Sequence, residues 1–205
     1  DGVMLFFSQM VLILPITFDR SFITQFDDID IAKTYAFLGI WLTAAATLTG
    51  IFVQKFGPDT VRALTLDRTM QPLSRTRKQA ALLAAVLFGG TLCSFALLYV
   101  LFYDAYWVKY GLNVPIIIMA ALAVAAQVSL LFDWTLIALD GEKTLMAAAT
   151  LNLAVLCCGF AFCLWTGGGY EGYAAAIVAG RACQILWADR AVGRAQDKRR
   201  LKTME

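Results

Sequence analysis

Six long runs of apolar residues constrain this chain more tightly than any motif in it. They cover residues 3–18, 36–54, 79–102, 115–139, 144–166 and 173–188. A helix needs about 20 apolar residues to cross about 30 Å of hydrocarbon, and four of the six runs approach or exceed that length, the last being as short as the first. The first is short, rising about 24 Å at 1.5 Å per residue. Because the chain begins with Asp1 and not Met, it is expected to be a fragment or a processed chain, with a turn of this helix lost. No basic segment precedes the run and five more follow, which excludes a secretory signal peptide. Backbone groups in lipid must be satisfied within the segment, so such runs are expected to be helices. The fold class is therefore an all-α membrane protein. It is one six-transmembrane-helix bundle over residues 1–205, with 189–205 as a basic cytoplasmic tail.

Composition agrees with a lipid solvent. Of 205 residues, 60% are hydrophobic and 16% charged, against roughly a quarter charged in soluble domains. Histidine is absent, which removes the commonest metal ligand and the usual neutral-pH proton carrier. No catalytic residue, metal ligand or cofactor is expected, and the chain is not expected to be an enzyme. Cys93, Cys157, Cys158, Cys163 and Cys183 all lie in apolar runs and read as small packing residues.

Orientation follows from basic residues in short loops. Lys55, Arg62, Arg68, Arg75, Arg77 and Lys78 crowd the second loop; Arg190, Arg194, Lys198, Arg199, Arg200 and Lys202 fill the tail. The alternate loops hold only Arg20, Lys33 and Lys109. The second and fourth loops and both ends of the chain are thus expected on the cytoplasmic side of the inner membrane. The basic residues pin topology and meet anionic headgroups; no aromatic-interleaved patch accompanies them, so nucleic acid is not an expected partner. Leucines at near-helical spacing between Pro58 and Pro72 predict a short amphipathic helix along the interface. Tyr103, Tyr106, Trp107 and Tyr110 in the third loop are either interfacial belt anchors or a platform for stacking a sugar.

Helices in lipid associate through small residues and interhelical hydrogen bonds. Gly39, Thr43, Thr47 and Gly50 offer one such seam; Ala148, Asn152, Gly159 and Cys163 offer another. Inside the runs, Asp133, Arg181 and Asn152 lie about 9, 10 and 12 Å from the cytoplasmic ends of their helices at 1.5 Å per residue. An intramembrane carboxylate is expensive unless paired. An Asp133–Arg181 contact is expected, with Asn152, Ser129 and Gln184 as candidate neighbours. It could serve as a clamp between helices or couple an ion or proton; alternatively the groups face a water-filled cavity unpaired. Pro15 can kink the first helix, and Asp19 and Arg20 follow it at the external mouth. They either line a path or are ordinary interfacial residues.

The segments "FDRSFITQF", "AKTYAFLGIW" and "FGPDTVRA" place Asp19, Tyr35 and Pro58 in order. "LIALDGEKTLMAAATLNLAV" and "GGGYEGYAAAIVAGRACQ" supply Gly141, Lys143, Asn152, Gly172, Ala174, Ala175 and Ala176. In this order and spacing the chain resembles one six-helix repeat of the multidrug/oligosaccharidyl-lipid/polysaccharide exporter superfamily, especially the polysaccharide flippases. The resemblance implies a transporter that moves a lipid-linked oligosaccharide or polysaccharide precursor across the cytoplasmic membrane by alternating access. Its partners would be that substrate, membrane lipids and a second six-helix lobe, this chain being more like a C-terminal half. Arg20, Asp19 and Arg181 are then the substrate or cavity candidates. The chain departs from the pattern in having a single basic residue, Arg181, well inside a span, whereas such flippases line the cavity with several. The alternative is an integral membrane enzyme or assembly subunit of lipid or glycan biosynthesis. An enzyme of that kind needs an acidic cluster for metal-bound pyrophosphate, and the one candidate, "FDDID" at 26–30, falls on the external side by the charge rule.

Overall fold

A computed structural model of the chain describes residues 22–23, 25, 28–66, 71–139 and 142–201. The run 3–18, with Pro15, Asp19 and Arg20, and Gly141 of the "DGEK" turn lie outside the described residues. Among the described residues there is no strand. Helix α1 spans Ile29–Leu66, α2 Gln71–Leu101, α3 Val114–Ala125, α4 Leu130–Leu139, α5 Glu142–Thr166 and α6 Tyr170–Leu201. A π-helical segment, Tyr103–Val108, follows α2, and a 3-10 turn, Ala126–Ser129, joins α3 to α4.

Local chemistry sets several of these boundaries. The Asn113 side chain accepts the Ile116 N–H at 2.8 Å and Pro115 occupies the first turn, so α3 starts with both its cap and a residue that needs no donor. At the end of α5, Gly167 adopts φ +65°, a conformation that suits glycine. The Gly168 N–H then returns to Cys163 O at 2.8 Å and the Gly167 N–H to Leu164 O at 3.3 Å, satisfying carbonyls of the last turn.

Among the described residues, four helices are long and apolar enough to cross a membrane: Ile29–Ala63, Ser74–Leu101, Val114–Asp133 and Lys143–Thr166. The third of these runs on through the 3-10 turn. This architecture is compatible with a multi-pass membrane protein. Helix α6 is not among the four, because Arg181, Gln184, Asp189, Arg190 and Arg194 interrupt its apolar character. It continues without a break from the run 173–188 to Leu201, so the first part of the tail is helical.

The expected interfacial helix between Pro58 and Pro72 is not a separate element. Helix α1 carries on through Pro58 to Leu66, giving 38 residues, or about 57 Å at 1.5 Å per residue. The extension has a neighbour to lie against. Phe56, Asp59, Thr60 and Ala63 face Arg75, Thr76 and Gln79 of α2 across a cavity of about 140 Å³. The Thr60 hydroxyl also donates to Phe56 O at 2.9 Å within the turn around the proline.

The third span is the axis of the bundle and α2 lies at its periphery: 56% of the apolar window in Val114–Asp133 is buried, against 17% in Ser74–Leu101. Large side chains such as Leu48, Ile51, Leu82, Val86, Leu97 and Val100 are exposed on the outer helix faces, where lipid is the fitting solvent. The interior divides into two apolar clusters along the bundle axis. One contains Tyr35, Phe95, Ile117, Phe160 and Tyr173; the other contains Val53, Leu87, Leu136, Leu145 and Val192. On α5 the boundary falls between Ala149 and Leu156, and on α6 between Ile177 and Ala188.

Small residues let α5 and α6 approach closely. A Cβ on Gly159 would meet Ala176 Cβ at 2.5 Å, and one on Gly172 would meet Cys163 Sγ at 2.5 Å. A Cβ on Gly180 would collide with the Asn152 side chain. Gly172, Ala176 and Gly180 thus form one stripe at four-residue intervals, matched by Cys163, Gly159 and Asn152 of the antiparallel neighbour. The expected seam on α1 behaves differently. Thr43 and Thr47 are exposed, with hydroxyls donating to Gly39 O at 2.8 Å and Thr43 O at 2.9 Å of their own helix. Nothing lies within 4 Å of a Cβ built on Gly50. The Thr47 hydroxyl is thus satisfied within its own helix.

Candidate functional site: a buried polar layer

The boundary between the two apolar clusters is polar. Asp133 on α4, Asn152 on α5, and Arg181 and Gln184 on α6 are all buried there, with Ser129 at the end of the 3-10 turn. On α6, Arg181 and Gln184 are three residues apart and share a face. That face meets the start of α4, which brings the three elements together.

The order of contacts is Asp133, Gln184, Arg181, Ser129. Gln184 Nε2 donates to Asp133 Oδ1 at 2.9 Å. Arg181 Nη1 donates to Gln184 Oε1 at 3.3 Å and to Ser129 Oγ at 3.4 Å. Among the described residues no direct Asp133–Arg181 ion pair lies within 4.0 Å. The carboxylate and guanidinium are joined through the amide of Gln184, which faces the acid with its donors and the base with its acceptor. Asn152 belongs to the same level but to another contact. It sits against Gly180, and its Oδ1 is buried without a hydrogen-bond partner. Asp19 and Arg20 lie outside the described residues.

Other buried polar groups carry no charge to announce them. Thr135 donates to Phe132 O at 2.7 Å and Thr91 to Leu87 O at 2.7 Å. Gln127 Nε2 donates to Ala123 O at 3.3 Å, across the junction where the α-helical ladder gives way to the 3-10 turn. Trp41 Nε1 and Thr49 Oγ1 are buried without partners. Because Thr91, Thr135 and Gln127 bond to carbonyls within their own helical run, hydropathy patterning passes over them.

At one end of the bundle, Arg77 of α2 reaches Asp189 of α6. Its Nε and Nη2 donate to Asp189 Oδ1 at 2.8 and 2.6 Å. At the other end the aromatic residues of the third loop assemble on α1. Tyr110 stacks on Phe37 with centroids 4.3 Å apart and planes at 9°, and Tyr106 lies 5.7 Å from the same ring. The Thr34 hydroxyl donates to Tyr110 O at 2.8 Å and fixes the loop there. Trp107 meets Tyr99 edge-on at 4.8 Å. Tyr103 remains exposed.

No group of three or more Cys, Asp or Glu among the described residues could hold a metal ion. No family model matches the chain, and neither a curated protein nor a solved structure matches it significantly.

Proposed function

We propose that the chain is one lobe of a multi-pass transporter that moves a lipid-linked oligosaccharide or polysaccharide precursor across the cytoplasmic membrane by alternating access. The observation that carries this reading is the buried polar layer beside the 3-10 turn. Charged side chains within a membrane bundle are costly and mark pathways or moving parts, and 3-10 stretches in mid-helix mark hinges. A bundle that only had to be stable would do as well with apolar residues at these positions. The motif likeness supplies the cargo. Arg181 and Arg20 are the candidate contacts for its pyrophosphate, since guanidinium pairs with phosphate oxygens in bidentate fashion, and Asp19 is a further candidate for the cavity wall.

Six spans with both ends cytoplasmic complete the topology. Lys55, Arg75, Arg77, Lys78, Lys143 and Arg194 gather at one end, against Lys33 and Lys109 at the other, and this asymmetry supports the basic end as cytoplasmic. An even number of spans lets a second lobe share the same orientation about an axis along the membrane normal. The lobe works by binding and conformational exchange, so no cofactor enters.

The test is transbilayer movement of a fluorescent polyprenyl-pyrophosphate oligosaccharide in proteoliposomes containing the full-length parent. Movement faster than in empty vesicles is expected, and Arg181→Ala should slow it about tenfold, the equivalent of 1.4 kcal/mol. A parent no faster than empty vesicles rules the reading out.

A further inference from the structure

At the end of the bundle remote from the basic cluster, three separate parts of the chain enclose a pocket of about 430 Å³. The first turns of α1, the loop before α3 and the start of α6 each contribute. The volume falls within the usual range for small-ligand sites, about 300–1,000 Å³. Its polar lining includes Asp30, Lys33, Lys109, Asn113 and Glu171, beside Tyr110. The walls are fastened before anything binds. Thr34, more than nine-tenths buried, ties α1 to Tyr110 O, and Tyr110 is stacked on Phe37.

The charges in the lining are unequal in their commitments. Lys33 Nζ and Asp30 Oδ1 neutralise one another at 2.9 Å. Lys109 lies over the Tyr110 ring at 5.5 Å from its centroid and has no carboxylate partner among the described residues. Glu171 turns its Oε2 back to within 3.1 Å of a Cβ built on Gly169, at the pocket wall, and has no cationic partner among the described residues. One uncommitted cation and one uncommitted anion therefore line the same space. A ligand of single charge pairs with one and opposes the other; a zwitterion satisfies both.

Position names the source. Val108 of the lining is exposed, as are Tyr103 and Val114 on either side of this loop, and the π-helical segment that leads into Lys109 and Tyr110 carries Tyr106 and Trp107. Aromatic belts of this kind sit at the level of lipid headgroups, and the exposed apolar residues beside the opening give acyl chains somewhere to lie. We propose that this pocket binds the phosphoethanolamine headgroup of a zwitterionic phospholipid, with Lys109 on the phosphate and Glu171 on the ammonium. The assignment is independent of what the bundle transports.

Native mass spectrometry of the full chain, released from micelles doped with equal phosphatidylethanolamine and phosphatidylglycerol, tests it. One retained phosphatidylethanolamine is expected. Lys109→Met and Glu171→Gln should each weaken its retention about tenfold, the equivalent of 1.4 kcal/mol, while circular dichroism of both variants stays that of the parent. Equal retention of the two lipids, or retention unchanged in both variants, overturns the assignment. Soluble glycerophosphoethanolamine provides the second arm: competition only at large excess supports a lipid source, and displacement at equimolar concentration refutes it.

Discussion

Asp133 and Arg181 occupy the same buried layer and do not touch; the amide of Gln184 stands between them, 2.9 Å from the acid and 3.3 Å from the base. Gln184 thus links the two charges by hydrogen bonds, in addition to their direct electrostatic attraction. Removing one partner of a buried ionic group costs about 3–5 kcal/mol, because the other is left uncompensated. Gln184→Leu leaves both charges in place and removes only the bridge, so it should destabilise the bundle by about 1–3 kcal/mol, less than Asp133→Ala. In a double-mutant cycle, the Asp133–Arg181 coupling should be larger in the parent than in the Gln184→Leu background. Unfolding in mixed micelles reads both quantities, and equal coupling in the two backgrounds removes Gln184 from the connection.

Gly180 and Asn152 make a second test. A methyl at position 180 collides with the Asn152 side chain, and overpacking of a tight contact costs about 1–3 kcal/mol. Gly180→Ala should cost that much, and Asn152→Ala should recover part of it by removing the side chain, while the Asn152 carbonyl, 3.1 Å from the same Cβ, remains. Gly50→Ala serves as the contrast, since nothing lies within 4 Å of its Cβ; it should be neutral, or stabilising by up to about 1 kcal/mol through helix propensity. Thermal unfolding of the three single variants and the double distinguishes packing from a general intolerance of change.

These two sites also show what a sequence can and cannot reveal. Hydrophobic run length located α2, the third span and α5, because the period of lipid exposure is written directly in composition. Depth arithmetic put Asp133, Asn152 and Arg181 in one layer, since rise per residue is fixed. It could not say that Gln184 mediates, because that depends on how α6 is rotated about its axis. Nor could spacing distinguish the two small-residue seams. Gly159 and Gly180 face α5–α6 packing, while Thr43 and Thr47 face outward, and both patterns repeat at three- and four-residue intervals. The continuation of α1 through Pro58 was hidden for a related reason: proline weakens a helix locally, and packing against α2 decides whether the helix continues.

The Arg77–Asp189 pair joins α2 to α6 by two short contacts, yet both side chains are more than a third exposed, at 53% and 38%. Solvent screens such pairs, whose net worth is about 0.2–1 kcal/mol. Arg77→Ala and Asp189→Ala should each lower stability by less than about 1 kcal/mol, and the difference should shrink between low and high salt as the Debye length falls. A cost well above that range, unaffected by salt, would show that the pair is shielded from solvent in the membrane.

The Thr34 hydroxyl holds the third loop onto α1 through Tyr110 O. Thr34→Val keeps the shape and removes the donor, so the part-buried Tyr110 carbonyl loses its partner at a cost of about 1 kcal/mol. The effect should be local. Hydrogen exchange of Gly111 and Leu112, whose N–H groups bond Val108 O and Trp107 O, should accelerate, while exchange in α5 stays unchanged. Uniform acceleration across the bundle would mean that the contact supports the whole fold and not the loop alone.

Whether α6 crosses the membrane decides the topology, because its polar face keeps it outside the set of four plainly apolar helices. Its length is sufficient: 32 residues rise about 48 Å, against about 30 Å of hydrocarbon. Its charged residues are also placed where a spanning helix can carry them. Arg181 and Gln184 face the interior and bond within the layer, and Arg194 is exposed near the far end. Single cysteines placed at Gly168 and Arg194, in a background whose five native cysteines are replaced by alanine or serine, should react with a membrane-impermeant maleimide from opposite sides of sealed vesicles. Lys109→Cys should label with the first and Lys78→Cys with the second. If positions 168 and 194 label from the same side, α6 does not span, and the six-span topology with both ends cytoplasmic fails with it.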